Sequence, residues 1–434
     1  MRKEPPQILF FLYTRSEVPL TLDTRFLRDN TGCEFHLITT MPVLELLQDT
    51  EEHGFFSKIH SFPDKAHYTE NAVSLVIEET LKSRQVRFEI ATISESLVDL
   101  CGQLRRKYGL SSRNYAEFVF KDHMKKELAT QDITTPDFLV FDPDLLSKDR
   151  HAYLKLVSGT VGFPCFIKPL NLFGALQCAK VNTPEELLTW AEETHDPAYT
   201  FEIERYLEGT LFHCETIVAQ GCPLYCQVNE YSAPVFEIYQ GKNIGSRSLP
   251  PDDPVAKRVA AFSDVVNRHL MRGFSGVTHL EVFLCGDDLV FLEIALRPPG
   301  ILASPYYLKR AGLPLVEAHI LIQAQPDWRP QPIETNHVAR IIVPLPENAG
   351  WLTQHPVLHL DCDFEARWNV RAGTCISANN GIDTFAGALL LWAPSFEQLS
   401  QSYHHALNDC HLQVDDLIQN PKEVCHAESK PKSV

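Results

Sequence analysis

The chain has 434 residues, 44% of them hydrophobic and 22% charged, with a formal net charge of −17. That length exceeds one ordinary core and fits two or three compact units. The acidic balance excludes a nucleic-acid backbone as the main partner, which needs a dense basic face, but leaves room for a nucleotide held by a few local cations.

The 12 cysteines are scattered without a C-x-x-C pair, Cys222 and Cys226 coming nearest. Neither a zinc site nor a disulfide framework is indicated, and reduced thiols in a cytoplasmic protein are expected. The charged start followed by a short apolar run suits a first strand better than a signal peptide. No apolar stretch is long enough to cross a bilayer, so no membrane partner is expected.

Taken in chain order, the first hundred or so residues alternate strand and helix patterns. "ILFFLYT", "CEFHLITT" and "RFEIATIS" are β-rich runs, while "NAVSLVIEETLKSR" and "SLVDLCGQLRRKYG" have helical spacing. Such alternation predicts βαβ units around a parallel sheet. No G-x-G-x-x-G follows a strand, so a dinucleotide site of that type is not expected. "NYAEFVFKDHMKKELATQDITTPDF" predicts a helix ending before a turn, then come strands at "FPCFIKPL" and "ALQCAKV". "TPEELLTWAEE" predicts a helix with Thr183 as N-cap, Pro184 at N1 and Glu186 three residues after the cap. Strands follow at "YTFEIERYLEG" and "LFHCETIVA", and a helix at "DPVAKRVAAFSDVVNRHLMRG". Beyond a proline-rich link near Pro330, "HVARIIVPL" and "AGALLLWA" are strands. A last helix starts near Ser395 with Phe396, Leu399, Tyr403 and Leu407 on one face. Residues 421–434 form a polar tail expected to be disordered.

The stretch "HLEVFLCGDDLVFLEIALRPPG", His279 to Gly300, reads as a hairpin with one apolar face and one charged face. His279, Glu281 and Phe283 share a face on the first strand; Phe291, Glu293, Ala295 and Arg297 share one on the second. A three-residue Gly286–Asp287–Asp288 loop sets Glu281 opposite Glu293 and His279 opposite Ala295, whereas a two-residue loop mixes charged and apolar faces. Facing like charges destabilise a sheet unless one is protonated or a cation sits between them, and paired carboxylates suit Mg²⁺. The alternative is a solvated face carrying two glutamates.

With these residues the sequence resembles the ATP-grasp superfamily, in its carboxylate–amine ligase branch of L-amino-acid ligases and carnosine synthases. "HLEVF" and "EIALRPPG" resemble its late strand–turn–strand signature, and "FKDHMKKEL", "GFPCFIKPL" and "EIERYLEG" match in order upstream. The fold so implied is α/β (α+β). It comprises an N-terminal Rossmann-like pre-ATP-grasp domain (1–112), an ATP-grasp domain (113–328, lid about 130–205) and a C-terminal α+β region (329–420). By resemblance Lys121 and Lys168 reach ATP phosphates, and Gly174 lies in the lid loop. Glu204, Arg205, Tyr206 and Leu207 form the adenine hinge. Glu281 and Glu293 hold one or two Mg²⁺ ions, and Arg297 faces the reacting group. His213, His279 and Arg340 are candidate substrate contacts.

The implied reaction is ATP-dependent joining of a small-molecule carboxylate and an amine through an acyl phosphate, giving ADP and phosphate, with a homodimer allowed. The chain departs from the family pattern at three places. Leu211 stands where a ribose-binding acid is usual, Ala295 where a third metal ligand is often found, and the lid loop "PLNLFGALQ" has one glycine. These departures keep two alternatives open: an ATP-binding protein of this fold without catalysis, and a biotin-carboxylase-like enzyme.

Overall fold

The structure is a computed structural model that describes residues 7–16, 20–82, 84, 86–113 and 115–416. The tail at 421–434 therefore lies outside the described residues.

The N-terminal stretch folds as expected around a parallel sheet. Its strands are β1 (Ile8–Leu12), β2 (Glu34–Thr40), β3 (Lys58–Phe62) and β4 (Phe88–Thr92), in the order β3-β2-β1-β4. Strand β1 is buried along its whole length, which explains its unbroken apolar run. Strand β3, "KIHSF", escapes the sequence reading because it is a short edge strand with little apolar pattern. One cover of this sheet comes from far along the chain. The helix Leu315–Ala324 buries Ile320 and Ala324 among Leu9, Phe11 and Leu37. It is apolar nearly all round, and all of it except Val316 is buried.

A second, antiparallel sheet holds β5 (Phe138–Val140), β6 (Cys165–Pro169), β7 (Ala179–Val181) and β8 (Phe201–Arg205), ordered β5-β8-β6-β7. The helix Pro184–Thr189 beside it starts as predicted, Thr183 Oγ1 accepting from Glu186 N at 3.2 Å. The return bond differs: Glu186 accepts from Asn182 N, one residue before the cap.

The remaining strands are β9 (Thr210–Ala219), β10 (Cys222–Tyr231), β11 (Ile244–Ser248), β12 (Gly276–Cys285), β13 (Asp288–Ala295), β14 (His337–Val343), β15 (Gly350–Gln354), β16 (Asp363–Trp368), β17 (Thr374–Ile376), β18 (Gly387–Ala393) and β19 (Gln413–Asp416). Eight of them form one sheet, β13-β12-β9-β10-β11-β14-β18-β16, and β17-β15-β19 form a small one. Strands on either side of the proline-rich link thus share a sheet. The helix Pro254–Leu270 covers one face of it, packing Val259, Val266 and Leu270 against Cys214, Leu280, Val282 and Ile294. The last helix, Phe396–Asp409, is capped by Ser395 and buries Leu399 and Tyr403. Among the described residues no helix is long and apolar enough to cross a membrane. Among the described residues ten cysteines are free thiols, whereas Cys375 is disulfide-bonded, against the expectation of reduced thiols.

The β12–β13 hairpin corrects the sequence argument while keeping its result. Glu281 does pair with Glu293, and His279 with Ala295. The turn, however, is the two residues Gly286 and Asp287, since Cys285 pairs with Asp288. The missing residue is recovered by a bulge: Val282 pairs with Phe291 and Glu281 with Glu293, leaving Leu292 extra. A bulge breaks simple alternation. Phe291 accordingly packs with Val282 and Ile294 on the helix-covered face, while Leu292 packs with Leu211, Phe283 and Val290 on the other.

Candidate active site

The face of the eight-stranded sheet turned away from the helix Pro254–Leu270 carries the charge. Register aligns one row, Glu293–Glu281–His213–Asn229, across β13, β12, β9 and β10, and a second row, Ala295–His279–Glu215–Gln227, beside it. Glu281 is 8% exposed, so the solvated-face alternative fails for this carboxylate. Burial pushes its pKa up, but the neighbouring His279 and His213 imidazoles and the Tyr231 hydroxyl outweigh that and hold it below the ordinary range. Glu293 turns instead to Lys121, whose Nζ lies 3.5 Å from its Oε2.

Lys121 is the first residue of the helix Lys121–Ala129, and its Nζ also donates to Leu172 O. Lys168, on β6, is buried, and it meets two protein carboxylates that the sequence reading did not foresee. Its Nζ lies 2.8 Å from Glu204 Oε1 and 3.7 Å from Glu202 Oε1. A second lysine, Lys125, completes the group at 2.7 Å from both Glu202 Oε1 and Glu204 Oε2. Two lysines and two glutamates thus balance inside the protein. Burial disfavours the Lys168 cation, and the two carboxylates more than reverse this. The side chain of Glu204, read from sequence as the first hinge residue, is committed to the lysines.

The other hinge residues follow at the end of β8. Arg205 is exposed, with its backbone N donating to Asp137 O, and Tyr206 N donates to Pro164 O. The Tyr206 ring is capped by Lys180 Nζ at 4.0 Å and lies near Phe166, and Leu207 is half-buried. Gly174 has φ +66°, and a Cβ there would meet Ile382 Cγ2 at 2.7 Å, so both conformation and packing require glycine.

Arg297 lies just beyond β13 and is gripped from the N-terminal sheet. Its Nε donates to Glu95 Oε2 at 2.6 Å, its second nitrogen reaches the same carboxylate, and its third donates to Pro298 O. Glu95 sits in the turn after β4. Arg340, on β14, donates to Ile301 O at 2.7 Å and is nearly buried.

His213 and His279 both belong to a buried polar network. Each Nδ1 donates to Glu215 Oε1 at 2.7 Å. The other Glu215 oxygen accepts from Asn229 Nδ2 at 2.7 Å and from the Tyr307 hydroxyl. Ser246 Oγ lies 2.6 Å from His213 Nε2, and Tyr306 OH donates to Asn229 Oδ1. Burial pushes both imidazoles down. For His213 burial wins over Glu215, whereas for His279 the carboxylates of Glu215 and Glu281 win and push its pKa up to about 9. Sequence reasoning missed Lys125, Glu202, Glu215 and Glu95. The first three had a signal: Lys125 stands one helical turn after Lys121, Glu202 two strand residues before Glu204, and Glu215 two after His213. Glu95 had none.

The residues brought together therefore include two adjacent carboxylates, the cations of Lys121 and Lys168 nearby, and an arginine held in place from another sheet. Hard oxygen donors beside lysines suit a divalent cation and phosphate oxygens.

Comparison with known proteins agrees. No protein-family model matches the chain. In sequence it is 24% identical over 257 residues to the L-arginine-specific L-amino acid ligase of Bacillus subtilis, across 56% of this chain and 60% of that protein. The chain thus matches less than two thirds of that relative's length. In structure it is similar to the L-amino acid ligase from Bacillus licheniformis, with TM-score 0.68 at 14% identity over 95% of this chain and 100% of that one. It is also similar to the biotin carboxylase domain dimer of Hydrogenobacter thermophilus 2-oxoglutarate carboxylase, solved with MgADP, ADP and bicarbonate, with TM-score 0.62 at 14% identity over 96% and 93%. The chain is thus similar in sequence to an L-amino-acid ligase and similar in fold to L-amino-acid ligase and biotin carboxylase structures, in line with the resemblance to the ATP-grasp superfamily.

Proposed function

We propose that the chain is an ADP-forming carboxylate–amine ligase acting on small molecules. The observation that carries the reading is the convergence of Glu281 and Glu293 with Lys121 at the mouth of a buried lysine–glutamate quartet. When bound, Mg²⁺-ATP supplies the phosphoryl group that turns a substrate carboxylate into an acyl phosphate open to attack by an amine.

The protein's own work is positioning and charge balance. Lys121 and Lys168 present cations to the phosphates, with Lys125 holding the Glu202–Glu204 pair so that Lys168 keeps its charge and place. Arg205, Tyr206 and Leu207 form the hinge against adenine, and Gly174 lets the lid loop lie close. Glu281 and Glu293 hold the cation. Arg297, steadied by Glu95, faces the developing oxyanion. Arg340 and the His213–Glu215–His279 network line the substrate side. In this reading residues 1–112, 113–328 and 329–420 act as three units, the segment around 130–205 serving as the lid, and a homodimer is the assembly.

An ADP-release screen with Mg²⁺-ATP across paired amino acids, polyamines and small carboxylates tests this. ADP release that requires both a carboxylate and an amine is expected. Thermal stabilisation by Mg²⁺-ATP without ADP release over the whole panel would instead mark a nucleotide-binding protein without catalysis.

A further inference from the structure

We propose that the chain dimerises through β16, two copies pairing antiparallel at this edge so that the eight-stranded sheet runs from one protomer into its partner. The inference rests on the homodimer reading and gives that dimer its surface. Strand β16 ends the sheet and, among the described residues, pairs with β18 alone. Asp363 to Arg367 are all exposed, so a row of backbone donors and acceptors faces solvent. Two contacts set which groups these are. Asn369 N donates to Ala386 O at 2.8 Å, and Arg367 O lies 2.7 Å from where a Cβ on Gly387 would sit. Backbone groups alternate sides along a strand, so those of Asp363, Glu365 and Arg367 serve β18 and those of Phe364, Ala366 and Trp368 point outward.

The occupant follows from the strand's own sequence, "DFEARW", which is complementary to itself. A two-fold axis perpendicular to the sheet pairs residues of one face, so it must pass through a residue of the strand. With the axis at Ala366, Glu365 meets the partner's Arg367 and Arg367 meets the partner's Glu365. Phe364, a large ring 37% exposed at an open edge, meets the partner's Trp368. Ala366 adds no bulk at the axis. The charged residues fall in the pairs without backbone hydrogen bonds, where side chains come closer. Moving the axis one residue either way sets Glu365 against Glu365 or Arg367 against Arg367, like charges that destabilise a sheet. One register therefore matches charge and aromatic partners together. Within the chain Glu365 is held only loosely, at 3.7 Å from Arg367 and 3.8 Å from Lys309. Such exposed pairs contribute little, which leaves the two charges free to engage across the axis.

The test follows the full chain by sedimentation velocity over a range of concentrations. A pair of six-residue strands is smaller than a standard interface, so dissociation in the micromolar range is expected. Ala366→Pro removes both hydrogen bonds of the central pair but no bond to β18, a position where an edge strand tolerates proline, and is expected to abolish the dimer while keeping the fold. Glu365→Arg and Arg367→Glu each turn two attractive pairs repulsive and are expected to weaken dimerisation about tenfold. Mixed in equal amounts, these two variants regain opposite charges across the axis and are expected to form a heterodimer as tight as the wild-type dimer. Hydrogen exchange of the wild-type chain is expected to be slower at Phe364, Ala366 and Trp368 in the dimer than after dilution to monomer, and this reading decides even if a variant fails to fold. A dimer that survives Ala366→Pro, a mixture that binds no tighter than either variant alone, or exchange unchanged by dilution overturns the proposal and leaves the homodimer reading intact. A monomer at every concentration overturns both, and the ligase reading stands in either case.

Discussion

Lys125 and Lys121 stand one turn apart on the same helix and do different work. Lys125 is fully buried between Glu202 and Glu204, and its loss leaves two buried carboxylates facing Lys168 alone. Removing one partner of a buried pair typically costs about 3–5 kcal/mol, because an uncompensated charge stays behind. Lys121 meets the partly exposed Glu293 at the rim, so its removal strands less. Lys125→Met should therefore lower the thermal midpoint steeply. Lys121→Met should change the midpoint little while weakening ATP-analogue binding at least about tenfold. Melting curves and calorimetric titration of both variants separate the roles, and equal midpoint losses would dismiss the distinction. At this scale the family resemblance singled out Lys121 and Lys168, and the structure brings both near Glu293 and Glu204. Sequence could not find what answers the buried charge within the protein: beside any phosphate, the fold supplies Lys168 with Glu204 from an adjacent strand. Likewise nothing near Arg297 in sequence points to Glu95, some two hundred residues earlier.

The hairpin shows how an element can be read correctly from a wrong premise. Alternation placed the glutamates opposite each other through a loop one residue too long, and the structure restores the count with the Leu292 bulge. No sequence signal marks that bulge, since a leucine continues the apolar run that a strand would carry anyway. Its physical effect is on direction. A bulge adds local twist and re-aims the next side chain, and here Glu293 turns to Lys121 rather than squarely onto Glu281. Deleting Leu292 should keep the Glu281–Glu293 pairing and the fold but press the carboxylates together. Metal-dependent nucleotide binding is then expected to weaken about tenfold, as for other changes around a metal site. Unchanged affinity by calorimetric titration, in a variant whose circular dichroism matches the wild-type chain, would show that the bulge has no part in the site. The strands legible in advance were mostly apolar runs; β3, β5, β10, β11, β16 and the small β17-β15-β19 sheet were missed because they are short or mix polar residues into both faces.

At the scale of the molecule, the parallel N-terminal sheet and the eight-stranded sheet are joined by the helix Leu315–Ala324. His319 on that helix accepts from Val277 N of β12 and lies 3.0 Å from Thr92 O of β4, bridging the two sheets. Burial pushes His319 down to about 4, so it stays neutral near physiological pH. Glu317, two residues earlier, anchors the N-terminal side by accepting from Asp23 N at 2.6 Å, while its second oxygen is buried without a hydrogen-bond partner among the described residues. Burial pushes the Glu317 carboxyl up from 4.5 to about 7, against the lowering effect of that hydrogen bond. The folded chain therefore holds this proton more tightly than the unfolded chain. Its stabilising contribution is complete below pH 4.5 and is lost as pH rises through about 7. A shift of this size corresponds to about 3 kcal/mol. Wild-type stability should fall between roughly pH 4.5 and 7, and Glu317→Gln, which carries no titrating proton, should fall less, the two curves drawing apart across that window. Thermal unfolding of both proteins across that range measures the difference directly. Parallel curves would mean that Glu317 stays ionised at this junction and that the sheets are not joined through a neutral carboxyl.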